Sequence, residues 1–285
     1  MEDIKMTKQK TPTKIIQYTL LIVVAIFMLF PIFWIFSNSL RSLAEISSWP
    51  PRLFPEVARW ENYVEVIRDS NALLYFRNTA ILMVGNTVGT LISSSIVAYP
   101  LARMNFKGKN LVFALILSTM MVPTVTTIIP QFILFNHLGW LDSFRPMIIP
   151  AFFAFPYNVF LFRQFFMTIP RSLDEAAMMD GCNRWQIFIK VIVPIAKPIF
   201  ITITVLSCIF WWNELFAPLI FIDSNHLRPL TLGVMQSFRV PGATQLTAWH
   251  LQMAMSVLMA IPPMLLYMFG SKYLSEGIKA TGSKE

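Results

Sequence analysis

Long uncharged apolar runs alternate with shorter polar segments along the whole chain, and the runs fall into one length class. At 1.5 Å per residue, roughly 20 apolar helical residues cross a hydrocarbon core about 30 Å thick. Six runs meet this requirement, over 15–36, 78–102, 111–135, 144–166, 191–222 and 249–273. Each is predicted to be helical, because lipid offers no partner for free backbone N–H and C=O groups. The fifth run exceeds the length of one span, so its start is assigned to a helix outside the membrane. The expected fold class is all-α: a polytopic membrane protein with six transmembrane helices in a single domain over 1–285, a tail over 1–14 and a polar loop over 167–190.

Prolines fall within most of these runs, at Pro31, Pro100, Pro123, Pro130, Pro150, Pro156, Pro218, Pro262 and Pro263. Each removes a helical hydrogen bond and favours a kink or break. Bending for packing and a part in gating both fit. Gly85 and Gly89, continued by Ser93 and Ala98, form a small-residue stripe that lets a second helix approach closely.

Composition supports a membrane protein. Hydrophobic residues make up 55% of the chain and charged residues only 13%, against roughly 25% charged in soluble domains. Lys5, Lys8, Lys10 and Lys14 precede the first run like a signal-peptide n-region, but that run is too long and continues through Phe30-Pro31-Ile32-Phe33-Trp34, so it reads as a retained anchor. With the N-terminus inside, 15 of the 23 Lys and Arg fall on the cytoplasmic side and 8 on the outer side, which places both termini in the cytoplasm. The net charge of +8 therefore orients spans, and no basic stripe points to nucleic acid. Cys182 and Cys208 have no metal or redox spacing, His137, His226 and His250 are scattered, and no metal site is expected.

The inside loop from Ile169 to Phe188 is more ordered than a connector requires. Ser172 and Glu175 have capping-box spacing, Ala176, Ala177, Met178 and Met179 continue a helix, and Gly181 is placed to end it in a left-handed turn. Asn183 and Gln186 repeat the capping pattern for a second short helix towards Pro194. Glu175 acting only as a cap and Gly181 only as a stop remains an open alternative.

The run Glu175-Ala176-Ala177, three residues, Gly181, nine residues, then Val191-Ile192-Val193-Pro194 resembles the EAA loop of ATP-binding-cassette importer permeases of the binding-protein-dependent type. Val191 and Val193 stand where that family more often has Ile and Leu. Tyr99-Pro100-Leu101-Ala102-Arg103, Met121-Val122-Pro123, Leu138-Gly139-Trp140-Leu141-Asp142-Ser143 and Trp212-Asn213-Glu214-Leu215-Phe216 are similar to the carbohydrate-uptake, maltose-type branch, and to its shorter six-span permease. The resemblance implies a bacterial cytoplasmic-membrane permease for a sugar or oligosaccharide, with Asp174, Glu175, Ala176, Ala177, Asp180, Gly181, Phe188 and Pro194 coupling to a separate ATPase. It implies further partners: a second permease subunit, two ATP-binding-cassette ATPase subunits, an extracytoplasmic substrate-binding protein docking on the outer segments 37–77 and 224–248, and membrane lipid. No cofactor is expected on this chain, ATP and magnesium belonging to the partner ATPase. It carries no GxxxxGK[ST] loop, since Gly108-Lys109 lacks the upstream glycine.

Glu214 is the one carboxylate placed within a span, beside Trp211, Trp212 and Asn213. A charge facing lipid costs several kcal/mol, so it is expected to face the bundle interior, a cavity or an interface. Trp212, Asn213 and Glu214, with Asn86 and Asn158, are candidates for the substrate path. Tryptophans anchored at the lipid interface, with Glu214 holding a neighbouring helix, explain the same residues. An ion-coupled secondary transporter would need several intramembrane charges and often a repeat. A permease for a polyol or glycerophosphate is the other alternative, and a membrane enzyme lacks any HExxH or GxSxG motif.

Overall fold

A computed structural model describes residues 11–238 and 247–282. Lys5, Lys8, Lys10, Arg239 and Lys284 lie outside the described residues, as does the segment 239–246 of the outer loop. Among the described residues the regular structure is helical, as the apolar runs require. The chain forms two compact units, one of 1–70 with 237–258, the other of 71–236 with 259–285.

In the first unit, α1 (Thr11–Ser39) is apolar from Leu20 to Phe36, and its stretch Ile15–Ser39 is long and apolar enough to cross a membrane. Phe27 is 80% exposed, and the side chains from Ile15 to Ile32 are all exposed. A helix apolar on every side and bare of packing partners is built for a non-aqueous surrounding. Beyond it, α2 (Leu43–Ile46) and α3 (Glu61–Asp69) are organised by Arg41, which is 1% exposed. Its guanidinium donates to Asn38 Oδ1, Ser37 Oγ and the Arg52 carbonyl, and lies over the Trp34 ring. Asn62 closes the knot by donating to the Ser39 and Arg41 carbonyls.

The second unit is built on α4 (Ala72–Arg103), 32 residues long. At 1.5 Å per residue it reaches ~48 Å, longer than a hydrocarbon core about 30 Å thick. The small-residue stripe is a packing face: Cβ atoms added at Gly85 and Gly89 would lie 3.0 Å from Ile148 and 2.9 Å from the Phe152 ring. Ser93 continues the contact by donating to the Ala151 carbonyl.

Next come α5 (Lys109–Ser118), a 3-10 turn at Thr119–Met121 and α6 (Thr124–His137). The run over 111–135 is a bent pair, turning by 95° between Met121 and Thr124. The cause is Pro123, which pushes Val122 out of the helical region to ψ 117°. The fourth run comprises α7 (Arg145–Ile148), a 3-10 segment Ile149–Phe153 and α8 (Pro156–Thr168).

A connecting region holds α9 (Ser172–Met179), α10 (Arg184–Ile187), a π-helical turn Phe188–Ile192 and α11 (Val193–Ile195). Then α12 (Lys197–Asn213) leaves at 74° to the preceding helix. The predicted fifth span over 191–222 is accordingly too long at both ends. Its start is a separate helix, as its excess length suggested, and its end breaks at Glu214, before α13 (Phe216–Phe221). After α13 follow α14 (Leu230–Gln236) and α15 (Trp249–Gly282), whose residues to Leu258 belong to the first unit and the rest to the second.

Among the described residues four helical stretches are long and apolar enough to cross a membrane, and up to six if each bent pair counts as one. Within the second unit, α4 and α8 run side by side in the same direction: Ser94 accepts the Phe155 N–H near one end, and Arg103 donates to the Phe166 carbonyl near the other. α12 runs the opposite way. Its first residues, Ala196 and Ile199, join the core of Leu101 and Ala102, whereas Ser207 accepts a hydrogen bond from Thr87.

Candidate functional site

The connecting region is two short helices around a sharp turn. Gly181 has φ +80°, the left-handed conformation that a Cβ disfavours, and the Gly181 and Cys182 N–H groups bond back to Met178 and Ala177 carbonyls to end α9. The Asn183–Gln186 capping box forms in both directions, Gln186 N–H to Asn183 Oδ1 at 2.9 Å and Asn183 N–H to Gln186 Oε1 at 2.8 Å. The expected Ser172–Glu175 box does not. Arg171 is already helical at φ −70°, ψ −25°, and its carbonyl accepts the Asp174 and Glu175 N–H groups. Ser172 is thus inside the helix, without the extended backbone a capping serine needs.

The sequence puts two different faces on this element. Asp174 and Ala177, three residues apart, are buried, while Glu175, Ala176 and Asp180 are exposed. Met179 is 89% exposed and Trp185 54%, the most exposed of the large apolar side chains of this region, with Leu173, Met178 and Ile189 also on its surface. Behind them Ile187, Phe188 and Ile192 join a core with Tyr99, Leu101, Phe162, Phe166 and Ile199. Phe188 lies 5.0 Å from the Tyr99 ring, whose hydroxyl is buried without a hydrogen-bond partner among the described residues. Pro194 follows the π turn and supplies no N–H to it, and the chain then turns at Ala196 into α12.

Arg103, the last residue of α4, fastens this region to the long helices. Its Nε donates to Asp174 Oδ2 at 2.9 Å, and the two side chains are 2% and 7% exposed. Its Nη atoms donate to the carbonyls of Phe166, Ile169 and Pro170, the end of α8 and the entry to α9. A buried ion pair is tolerated only where such further hydrogen bonds are present.

These features sit within a matched family. The sequence profile described as "Binding-protein-dependent transport system inner membrane component" matches residues 85–280, well over half of the chain. The chain belongs to this family. It is similar to the arabinooligosaccharides transport system permease protein AraQ of Bacillus subtilis, 32% identical over 259 residues that cover 90% of each protein. It is also 31% identical over 260 residues to the sulfoquinovosyl glycerol transport system permease protein SmoH of Agrobacterium fabrum, covering 90% of this chain and 89% of that one. A solved bacterial ABC transporter involved in the import of the acidic polysaccharide alginate contains a chain with 29% identity and a TM-score of 0.82, over 92% of this chain and 96% of that one. The protein is therefore an inner-membrane permease component, a transport subunit and not an enzyme, with the fold of an ABC importer permease.

The other candidate residues of this permease stand at the end of α12 and on α4 and α8. Trp212 is buried, donates from Nε1 to the Met259 carbonyl and packs 5.9 Å from Phe76. Asn213, the last residue of α12, is exposed and bonds to the Ile209 carbonyl of its own helix. Glu214 lies just past that helix, at the break before α13. Its carboxylate accepts the Ala217 N–H at 2.9 Å, starting α13, and its carbonyl accepts the Thr231 hydroxyl. Asn86 is fully buried, donating to the Leu82 carbonyl with Oδ1 unpartnered among the described residues, and Asn158 is half-buried on α8.

Arg103 is the residue that sequence reasoning passed over. A lone arginine after an apolar run reads as an interface anchor, and its carboxylate lies 71 residues away with no local pattern joining the two.

Proposed function

We propose that this permease forms half of the translocation path of an ATP-driven importer for a sugar or oligosaccharide, and that the region from Ser172 to Pro194 couples it to a separate ATPase. The buried Arg103–Asp174 junction is the observation that carries the reading, because it makes α9 one piece with the ends of α4 and α8. Glu175, Ala176, Asp180 and the exposed Met179 and Trp185 then form the outer face for the ATPase, while Asp174, Ala177, Gly181, Phe188 and Pro194 fix the element's shape. An exposed methionine and tryptophan on a helix otherwise capped for water favour a protein partner.

The same reading gives six spans in one membrane domain with both termini in the cytoplasm. The parallel course of α4 and α8 and the reversed course of α12 are what alternating crossings require if the bent pair α5–α6 crosses once between them. The outer segments would receive a substrate-binding protein, and a second permease would complete the path. Carbohydrate as the substrate class rests on the transport assigned to AraQ and on the alginate importer. Trp212, Asn213, Glu214, Asn86 and Asn158 remain the candidates for contact with solute, although the hydrogen bonds of Trp212 and Glu214 favour structural roles for those two.

The test is Met179→Glu, on a side chain with no packing role in this chain. ATP-dependent uptake by the assembled transporter should fall, with binding-protein docking unchanged. Undiminished uptake in this variant and in Glu175→Lys would remove the coupling assignment.

A further inference from the structure

Beside the Arg103 junction is a cavity of about 560 Å3, framed by the end of α4, the start of α5 and the last turn of α8. Its lining includes four cations, Arg103, Lys109, Arg163 and Arg171, and no carboxylate. Only Arg103 is ion-paired, to Asp174. Among the described residues the other three make bonds to carbonyls or none: Arg163 Nε to Leu101 at 3.2 Å with its guanidinium carbon 4.0 Å over the Phe113 ring, Lys109 Nζ to Met104 at 2.9 Å and Ala102 at 3.5 Å. Three like charges facing one partly enclosed space repel each other, and an anion placed among them relieves that repulsion. The N-terminus of α5 adds to the same positive field, with Gly108, Lys109 and Asn110 also in the lining.

The rim of the cavity is apolar. Leu111 is 65% exposed, and Leu115, one turn further along α5, is 59% exposed. Phe106 and Met167 are exposed at the same mouth. A ladder of bare apolar side chains leading from a cationic hollow matches an amphiphile with a phosphate at its head. At about 30 Å3 per water, the cavity has room for a phosphodiester and several waters.

We propose that this cavity binds the phosphodiester headgroup of an anionic phospholipid, with an acyl chain lying along Leu111 and Leu115. Arg171 and Lys109 supply the charge, Arg163 charge held in place by stacking, and Arg103 the positioning of the wall they stand on. The site depends on the protein being embedded in the membrane and not on the coupling role of α9. Headgroup occupancy would hold the ends of α4 and α8 and the start of α5 together.

The test uses the full-length chain with the subunits that co-purify with it, delipidated in neutral detergent and titrated by native mass spectrometry. Phosphatidylglycerol is expected to bind more tightly than phosphatidylcholine. Each cation near an anionic surface contributes about 1 kcal/mol, or roughly fivefold in affinity. Arg171→Gln should therefore weaken phosphatidylglycerol binding about fivefold and the Lys109→Gln/Arg171→Gln pair about 25-fold, while Lys107→Gln, outside the lining, leaves it unchanged. If the pair fails to assemble, Arg171→Gln alone decides, since that side chain is exposed. Equal affinity for the two lipids, or phosphatidylglycerol binding unaffected by Arg171→Gln, overturns the proposal. Displacement of the lipid by an equal concentration of inorganic phosphate overturns the lipid source. Loss of a co-purifying subunit in Arg171→Glu with lipid binding intact assigns the cations to a protein partner instead.

Discussion

Removing the Asp174 carboxylate should loosen the connecting region far more than its small contact area suggests. In Asp174→Ala the Arg103 guanidinium stays buried without its counter-ion, and breaking such a pair from one side costs ~3–5 kcal/mol. Arg103 keeps three carbonyl acceptors, at Phe166, Ile169 and Pro170, so the lower end of that range applies. If α9 opens locally, ~3 kcal/mol corresponds to on the order of 100-fold faster amide exchange across Asp174–Gly181. Asp174→Asn provides the contrast. Only Oδ2 of the carboxylate is bonded and Oδ1 has no partner among the described residues, so an amide oxygen can still accept from Arg103 Nε. The hydrogen bond is kept but the counter-charge is lost, so exchange in Asp174→Asn should lie between the wild type and Asp174→Ala. Hydrogen–deuterium exchange on the detergent-solubilised protein, read on peptides covering α9, measures both. Wild-type protection in Asp174→Ala would refute the claim that this pair fastens the region.

Two further outcomes follow from single positions. In Gly181→Ala no atom lies within 4 Å of the new Cβ, so the cost is purely that of a left-handed backbone, ~1–2 kcal/mol, and tryptic cleavage at the nearby Arg184 should accelerate on the order of tenfold, with Gly181→Asn intermediate. At the other end of the second unit, Asp142 accepts the Ser224 hydroxyl and the N–H groups of Ser224 and Asp223, and these bonds, the hydroxyl first, hold its carboxyl below the usual carboxylate range. A depressed folded pKa stabilises fully above the unfolded value of about 3.9 and is lost as pH falls through the folded one; protection of the Ser224 amide, measured against its intrinsic exchange rate, should therefore fall below about pH 4 in the wild type and stay constant with pH in Asp142→Asn.

What the sequence made legible followed from rules acting over one or two helical turns. Apolar length identified the helices, φ-permissive Gly181 its turn, and the Asn183–Gln186 spacing its cap, because each is decided by neighbours a few residues away. The Ser172 cap failed for a reason outside that range: the chain enters α9 through Pro170, whose carbonyl is held by Arg103, and is helical one residue early. At Glu214, likewise, hydropathy cannot see that α12 stops at Asn213 and that the carboxylate starts α13. The 95° bend at Pro123 was visible as a proline, but a proline specifies a break and not its angle. The cationic cavity was invisible because its residues come from three stretches, each unremarkable as a loop charge.

The bonding at the shared end of α4 and α8 explains why a force on α9 would not be absorbed locally. Helix C-termini carry unsatisfied carbonyls and a partial negative charge, and cations stabilise them. Here the cations are exchanged: Arg103 from α4 serves the carbonyls after α8, while Arg163 from α8 serves the Leu101 carbonyl of α4. Lys109, at the start of α5, holds the carbonyls of Ala102 and Met104 beyond it. Moving either helix end alone would strip buried groups of their partners, at ~1–3 kcal/mol for each unsatisfied group. Sliding the ends together costs none of these bonds. Asp174 joins α9 to the same set, so under the proposed function a displacement applied at Met179 reaches two long helices through groups that resist separation, whereas a loop tied only by apolar contacts would slip over the core behind it.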